Sequence, residues 1–182
     1  MPRAFRLSAV LVVLLAVQAL PARAQLEGGS KFEQGMKAPD SLLDGSAHDR
    51  HNQITAYGNY SWGLGVGAGL RYSLPIFKDG FIPELNDSVE VEAGGTFLFG
   101  LFGIAPSVVI GALEPKWTFH FTPQFDGYVK LGLGLFLWLG PTNYTPVNVL
   151  ASGGLAYRFS PNFWIKLEGG ILGAALGAGL EF

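Results

Sequence analysis

The sequence predicts an all-β chain: an eight-stranded antiparallel transmembrane β-barrel of up-and-down meander type, preceded by a cleaved signal peptide and a flexible N-terminal arm. Three observations predict it. Charged residues make up only 14% of the chain against 49% apolar, yet 26 glycines and 11 prolines are scattered through it, which disfavours long helices. From Gln53 onward, apolar residues recur at every second position between turn signals, the period of a strand with two unlike faces. Charged residues inside those segments fall on the face opposite the apolar one. A sheet can lie in hydrocarbon only when it closes on itself, because an open edge would leave backbone groups unpaired.

In chain order, Arg3 and Arg6 precede the apolar run Leu7 to Val17, and Ala22-Arg23-Ala24 forms a small-x-small cleavage site. The run is too short to span a bilayer comfortably. Residues 1–24 are therefore expected to be removed. Residues 25–52 are polar, mixed in charge and aperiodic, and are expected to form a flexible periplasmic arm. Residues 53–182 make the barrel, with strands expected near 53–62, 64–74, 87–99, 107–121, 127–139, 146–159, 162–170 and 173–182. An even count returns the last strand to the side where the first began. With the termini in the periplasm, the connections "SLPIFKDGFIPELND", "TPQFDG" and "SPN" face the periplasm, and the outer loops are short.

The segment Gly127 to Gly140 shows the pattern most plainly. Val129, Leu131, Leu133, Leu135, Leu137 and Leu139 share one face, while Lys130, Gly132, Gly134, Phe136 and Trp138 share the other. Leu64, Val66, Ala68, Leu70 and Tyr72 are the expected lipid face of the second strand. The expected lumen then holds Arg71, Glu90, Glu92, Glu114, Lys116, Lys130, Arg158, Lys166, Glu168 and Glu181, balanced in sign. Lys78, Asp79, Glu84, Asp87 and Asp126 are assigned to periplasmic turns. Towards the outer side the lumen turns apolar, with Leu98, Ile110, Phe136, Trp138 and Leu150 as a possible pocket. The competing reading is a membrane helix over Thr96 to Leu113; Gly94, Gly95, Gly100, Gly103 and Pro106 weigh against it.

Residues 53–182 resemble the small eight-stranded outer-membrane barrels of the OmpA/OmpX type. The closing residues "ALGAGLEF" resemble the signal by which such barrels are recognised for assembly, with Gly177, Leu180 and Phe182 in matching positions and a departure at Ala175. OmpW-type barrels are similar in strand number and hydrophobic interior, by architecture and not by motif. The resemblance implies an outer-membrane location, lipid and the barrel assembly machinery as partners, and a monomer.

Function is read more coarsely. The chain has no cysteine, which excludes thiol catalysis, disulfides and cysteine-ligated metal. After loss of Arg3, Arg6 and Arg23, nine Lys and Arg face fourteen Asp and Glu, a formal charge of −5, which argues against a nucleic-acid partner. Glu90 and Glu92 lie two apart on one face at a spacing that overlaps acid/base pairs, but Arg71 and Lys116 are adjacent partners, and an ion-pair network is the expectation. His120 is expected to be a hydrogen-bonded structural residue, since only Thr118 and Thr122 accompany it on its face. His48 and His51, in "HDRH", lack the third and fourth ligands of a zinc site. No cofactor, metal or catalytic residue is assigned, and the chain is expected not to be an enzyme. The leading expectation is a structural barrel with a closed, charge-networked lumen. The alternative is binding or passage of small hydrophobic molecules or acyl chains through the apolar outer half. A lipid A-modifying enzyme is the remote third reading: lipid A deacylases carry histidine and serine two residues apart on a strand, a spacing His120 lacks.

Overall fold

The structure, a computed structural model, describes residues 31–100, 106–140 and 145–182. The expected signal peptide, the start of the arm and parts of two loops lie outside the described residues. A short helix, α1 (Lys31–Met36), is followed by β1 (Gln53–Ser61), β2 (Gly65–Phe77), β3 (Asp87–Phe99), β4 (Ser107–Thr122), β5 (Phe125–Leu139), β6 (Val147–Ser160), β7 (Phe163–Gly170) and β8 (Gly173–Glu181). Each strand pairs antiparallel with the next, and β1 pairs with β8 from Gln53 opposite Glu181 to Ser61 opposite Gly173. The barrel is closed, and every strand has two partners.

The alternating sequence becomes two surfaces of opposite character. On β5, Leu131, Leu133 and Leu135 are more than half exposed, while Lys130 and Phe136 on either side of them are buried. The same alternation runs along β7, where Ile165 and Leu167 point out and Lys166 and Glu168 point in. A water-soluble barrel would place these sets the other way round. Among the described residues, no helix is long and apolar enough to cross a membrane.

The interior has two layers. At the end opposite the termini, Leu98, Val108, Ile110, Phe136 and Leu150 form a dry cluster, with Leu64, Trp138 and Leu172 packed against it. Leu64 corrects the expected lipid face of β2: it sits in the turn before the strand and folds inward. Towards the end that carries the termini, called the arm end below, the interior is charged. Gly179 lets the wall close there, since a Cβ at that position would collide with the Trp164 indole nitrogen. Gly179→Ala is expected to destabilise the barrel by about 1–3 kcal/mol through overpacking. Equilibrium urea unfolding checks this, with Gly169→Ala, where an added Cβ meets nothing within 4 Å, as the neutral comparison.

Three register shifts interrupt the ladders, between Pro75 and Phe77, His120 and Thr122, and Arg158 and Ser160. All three lie at the arm end. Such bulges bend a strand and re-aim its side chains at a rim. Part of the arm is tied to the barrel by hydrogen bonds and an ion pair. Beyond α1, Leu42 accepts from the Asn86 backbone N–H at 2.9 Å, His48 N–H donates to Asp79 at 3.0 Å, and Lys78 pairs with Asp49 at 2.6 Å. Arg50 reaches Asn86 Oδ1. Residues 41–50 thus form a strap tied to the β2–β3 loop, because that loop supplies the acceptors and donors that the strap's backbone lacks.

Candidate functional site

The lumen charges separate into two clusters. The first surrounds Lys130, whose side chain is wholly buried: its Nζ lies 2.7 Å from Glu168, 2.8 Å from Glu92 and 3.4 Å from Glu114. Arg71 joins at 2.8 Å from Glu168 and 3.4 Å from Glu92, with its guanidinium over the Tyr57 ring. Lys116 contacts Glu90 at 2.6 Å and Glu92 at 3.8 Å. Ser73, Thr118 and Tyr128 hydroxyls donate to Glu92, Glu90 and Glu168. Glu90 and Glu92 are therefore neutralised by the same lysine, and neither is poised as a free acid or base.

Strand register sets this pairing in a way periodicity does not. Glu92 lies directly opposite Glu114, and Lys116 directly opposite Lys130, so like charges face like across both ladders. Opposite like charges destabilise a sheet. Neutralisation comes instead along diagonals and across the lumen, where Lys130 on β5 meets Glu92 on β3 and Glu168 on β7. Lys166 has a different environment: it donates to Gln53 at 3.1 Å and lies 4.8 Å from the Trp164 ring centroid.

The second cluster sits at the arm end and contains residues the sequence reading had placed elsewhere. Arg158 pairs with Glu181 at 2.9 Å and with Asp126 at 3.9 Å. Asp126 was assigned to a turn; the bulge at Phe121 brings it into β5 opposite His120. Asp87, assigned likewise, opens β3, is 1% exposed and accepts from the Trp117 indole N–H at 2.6 Å. Trp117 is thereby anchored at the wall's edge. His120 hydrogen-bonds through Nδ1 to Asp126 Oδ1 at 2.8 Å and through Nε2 to Ser88 Oγ at 3.1 Å. Ser88 and Asp126 were missed because they lie on β3 and β5, flanking β4. Only the paired ladders reveal them as neighbours of His120.

The apolar pocket residues Leu98, Ile110, Phe136 and Leu150 meet in one cluster with Trp138 against it, and Val108, fully buried, belongs with them. A cavity of ≈ 70 Å³ adjoins Leu98, Ile110 and Leu150, with Arg71, Glu114 and Glu168 at its polar side. Of the assembly-signal residues, Gly177 faces inward under Tyr57, while Leu180 and Phe182 are exposed on the outer wall at 53% and 64%.

On the strap, His48 Nε2 lies 3.3 Å from Asp40 and 3.5 Å from Asp44, so one ligand atom of each falls within 4.8 Å of the others. His51 stands apart beside Asp49. The Asp44 carboxyl is held down from 3.8 to about 2 by hydrogen bonds from the Asp40 N–H and from Ser46. Asp49 is lowered as well, chiefly by Lys78.

No protein-family model matches the sequence, and no curated protein matches it. Solved structures do. The N-terminal β-barrel domain of Pseudomonas aeruginosa OprF is 21% identical, with 74% of this chain and 98% of that one covered, at a TM-score of 0.49. Ail, the attachment invasion locus protein of Yersinia pestis, is 15% identical over 74% of this chain and all of its own, at 0.48. Neisserial surface protein A is 13% identical over 72% and 96%, at 0.46. The likeness is one of fold.

Proposed function

We propose that this chain is a monomeric outer-membrane barrel whose lumen is shut by its own side chains. The observation that carries the reading is the pairing of an exposed belt of Leu131, Leu133, Leu135, Val149 and Leu176 with a buried core of Glu90, Glu92, Glu114, Lys116, Lys130, Lys166 and Glu168. Apolar side chains turned outward suit acyl tails, and ionised ones turned inward find partners only inside. An eight-stranded barrel has an interior just wide enough for side chains to fill. In this reading the arm end faces the periplasm, and Gly177, Leu180 and Phe182 serve recognition by the assembly machinery. Reconstituted into planar bilayers, the protein is expected to give no stable single-channel steps. Discrete, reproducible conductance would overturn the closed lumen.

A second reading concerns the dry outer half of the lumen. The cavity beside Leu98, Ile110 and Leu150 combines apolar walls with a polar floor, the arrangement of small-molecule sites. Its size restricts any occupant to a small molecule or the end of a chain. Short alkyl alcohols are expected to raise the urea midpoint of the wild-type protein and not that of Leu150→Phe, where the added ring fills the cavity.

A further inference from the structure

We propose that Ser88, His120 and Asp126 form a serine-nucleophile site that hydrolyses small carboxylic esters reaching the arm end of the barrel. The proposal goes beyond the closed-barrel reading and rests on three features of the arm end.

The first is order and distance. Ser88 Oγ, His120 Nε2, His120 Nδ1 and Asp126 Oδ1 run in sequence, with hydrogen bonds of 3.1 and 2.8 Å. A carboxylate accepting at Nδ1 holds the proton there and leaves Nε2 free to take one from the serine. Arg158, 3.9 Å from the other oxygen of Asp126, keeps that carboxylate in its orientation. Such relays are recognised by geometry and role, whatever the chain order.

The second is a pair of unsatisfied donors. Asn86 Nδ2 and Arg50 Nε are buried without a hydrogen-bond partner among the described residues. Asn86 lies two residues before Ser88, and Arg50 is bonded to its other side-chain atom. Buried donors left unpaired are rare in folded proteins. A developing oxyanion requires such donors, and these two are held close to Ser88 along the chain, through Asn86.

The third is space. A cavity of ≈ 340 Å³ lies between the strap and the β2–β3 loop, walled by Ala47, His48, Leu85, Asn86 and Asp87; it stops at the two residues before Ser88, and Ser88, His120 and Asp126 do not line it. Ser88 itself is fully covered, so reaction requires the strap to lift. The Lys78–Asp49 pair that helps hold it is mostly exposed, and exposed pairs contribute little.

The chemistry balances with water alone. Ser88 Oγ bonds to the ester carbonyl carbon as its proton passes to His120 Nε2. The C–O bond to the alcohol then breaks, and the alcohol leaves with that proton. Water attacks the acyl-serine, gives its proton to Nε2, and the carboxylic acid departs as Ser88 recovers its hydrogen.

The test uses the folded full chain in detergent, treated with a fluorophosphonate and digested for mass spectrometry, alongside p-nitrophenyl acetate turnover. The expected result is phosphonylation at Ser88. His120→Gln should slow labelling by about 100-fold or more, the scale of lost general-base catalysis. Ser61→Ala, a buried serine at the opposite end, should label as wild type. Absence of label at Ser88 in the wild-type protein overturns the proposal, whatever the variants do. Equal labelling in a His120→Gln protein shown to be folded by heat-modifiable gel mobility overturns it too.

Discussion

Replacing Lys130 by methionine is expected to lower the free energy of unfolding by about 3–5 kcal/mol, the scale for removing one partner of a buried ion pair. The Lys130 side chain has no exposed surface and lies within 3.4 Å of three carboxylates. Methionine keeps most of its length and removes the ammonium group with its hydrogen bonds. Glu92 retains Arg71 and Lys116, and Glu168 retains Arg71, but among the described residues Glu114 has no other ion pair. The loss should therefore fall chiefly on Glu114, and Lys130→Met combined with Glu114→Gln should recover part of it. Urea titration of the barrel in phospholipid vesicles, followed by tryptophan emission, measures the difference. Lys78→Met removes an exposed pair with Asp49 and should change stability by no more than about 1 kcal/mol. Equal effects at Lys78 and Lys130 would mean that the lumen is wet and its charges screened.

Leu133→Arg is expected to destabilise the vesicle-embedded barrel by about 2–4 kcal/mol, as for a cation placed near the bilayer midplane. Leu133 is 57% exposed in the middle of β5, flanked in register by Leu113 and Val149, which are exposed to a similar degree. The three make a continuous apolar patch. Phe182→Arg, at the chain's end on the rim, should have an effect nearer about 0–1 kcal/mol, because an arginine there reaches headgroups and water. This depth dependence separates a membrane wall from a merely greasy surface. In water, exchanging an exposed leucine for arginine stays within about 0.5 kcal/mol wherever it lies. Two small, equal values would remove the outer-membrane reading while leaving the barrel itself intact.

Strand number and facing were legible because side chains alternate strictly along a strand and because burial and charge exclude one another. Lys130 and Leu131 announce opposite environments without any knowledge of their neighbours. The strand ends were also close: β3 runs from Asp87 to Phe99, as expected, while β5 begins at Phe125 and not near residue 127. That small extension matters most for the candidate site. It carries Asp126 out of a turn and sets it opposite His120. Nothing in "TPQFDG" signals the change, since the bulge that produces it depends on how β4 and β5 pair at the rim.

Residue order alone determined an all-β chain with one greasy and one ionised face per strand, because that pattern has period two and is local. Which charges meet, that Glu92 and Glu114 share Lys130, and that Ser88, His120 and Asp126 line up across three strands, only the closed barrel decided. The reason is geometric. Facing is a property of a single strand, whereas partnership depends on the relative stagger of several strands and on the curvature that brings β3 and β7 within reach across the lumen.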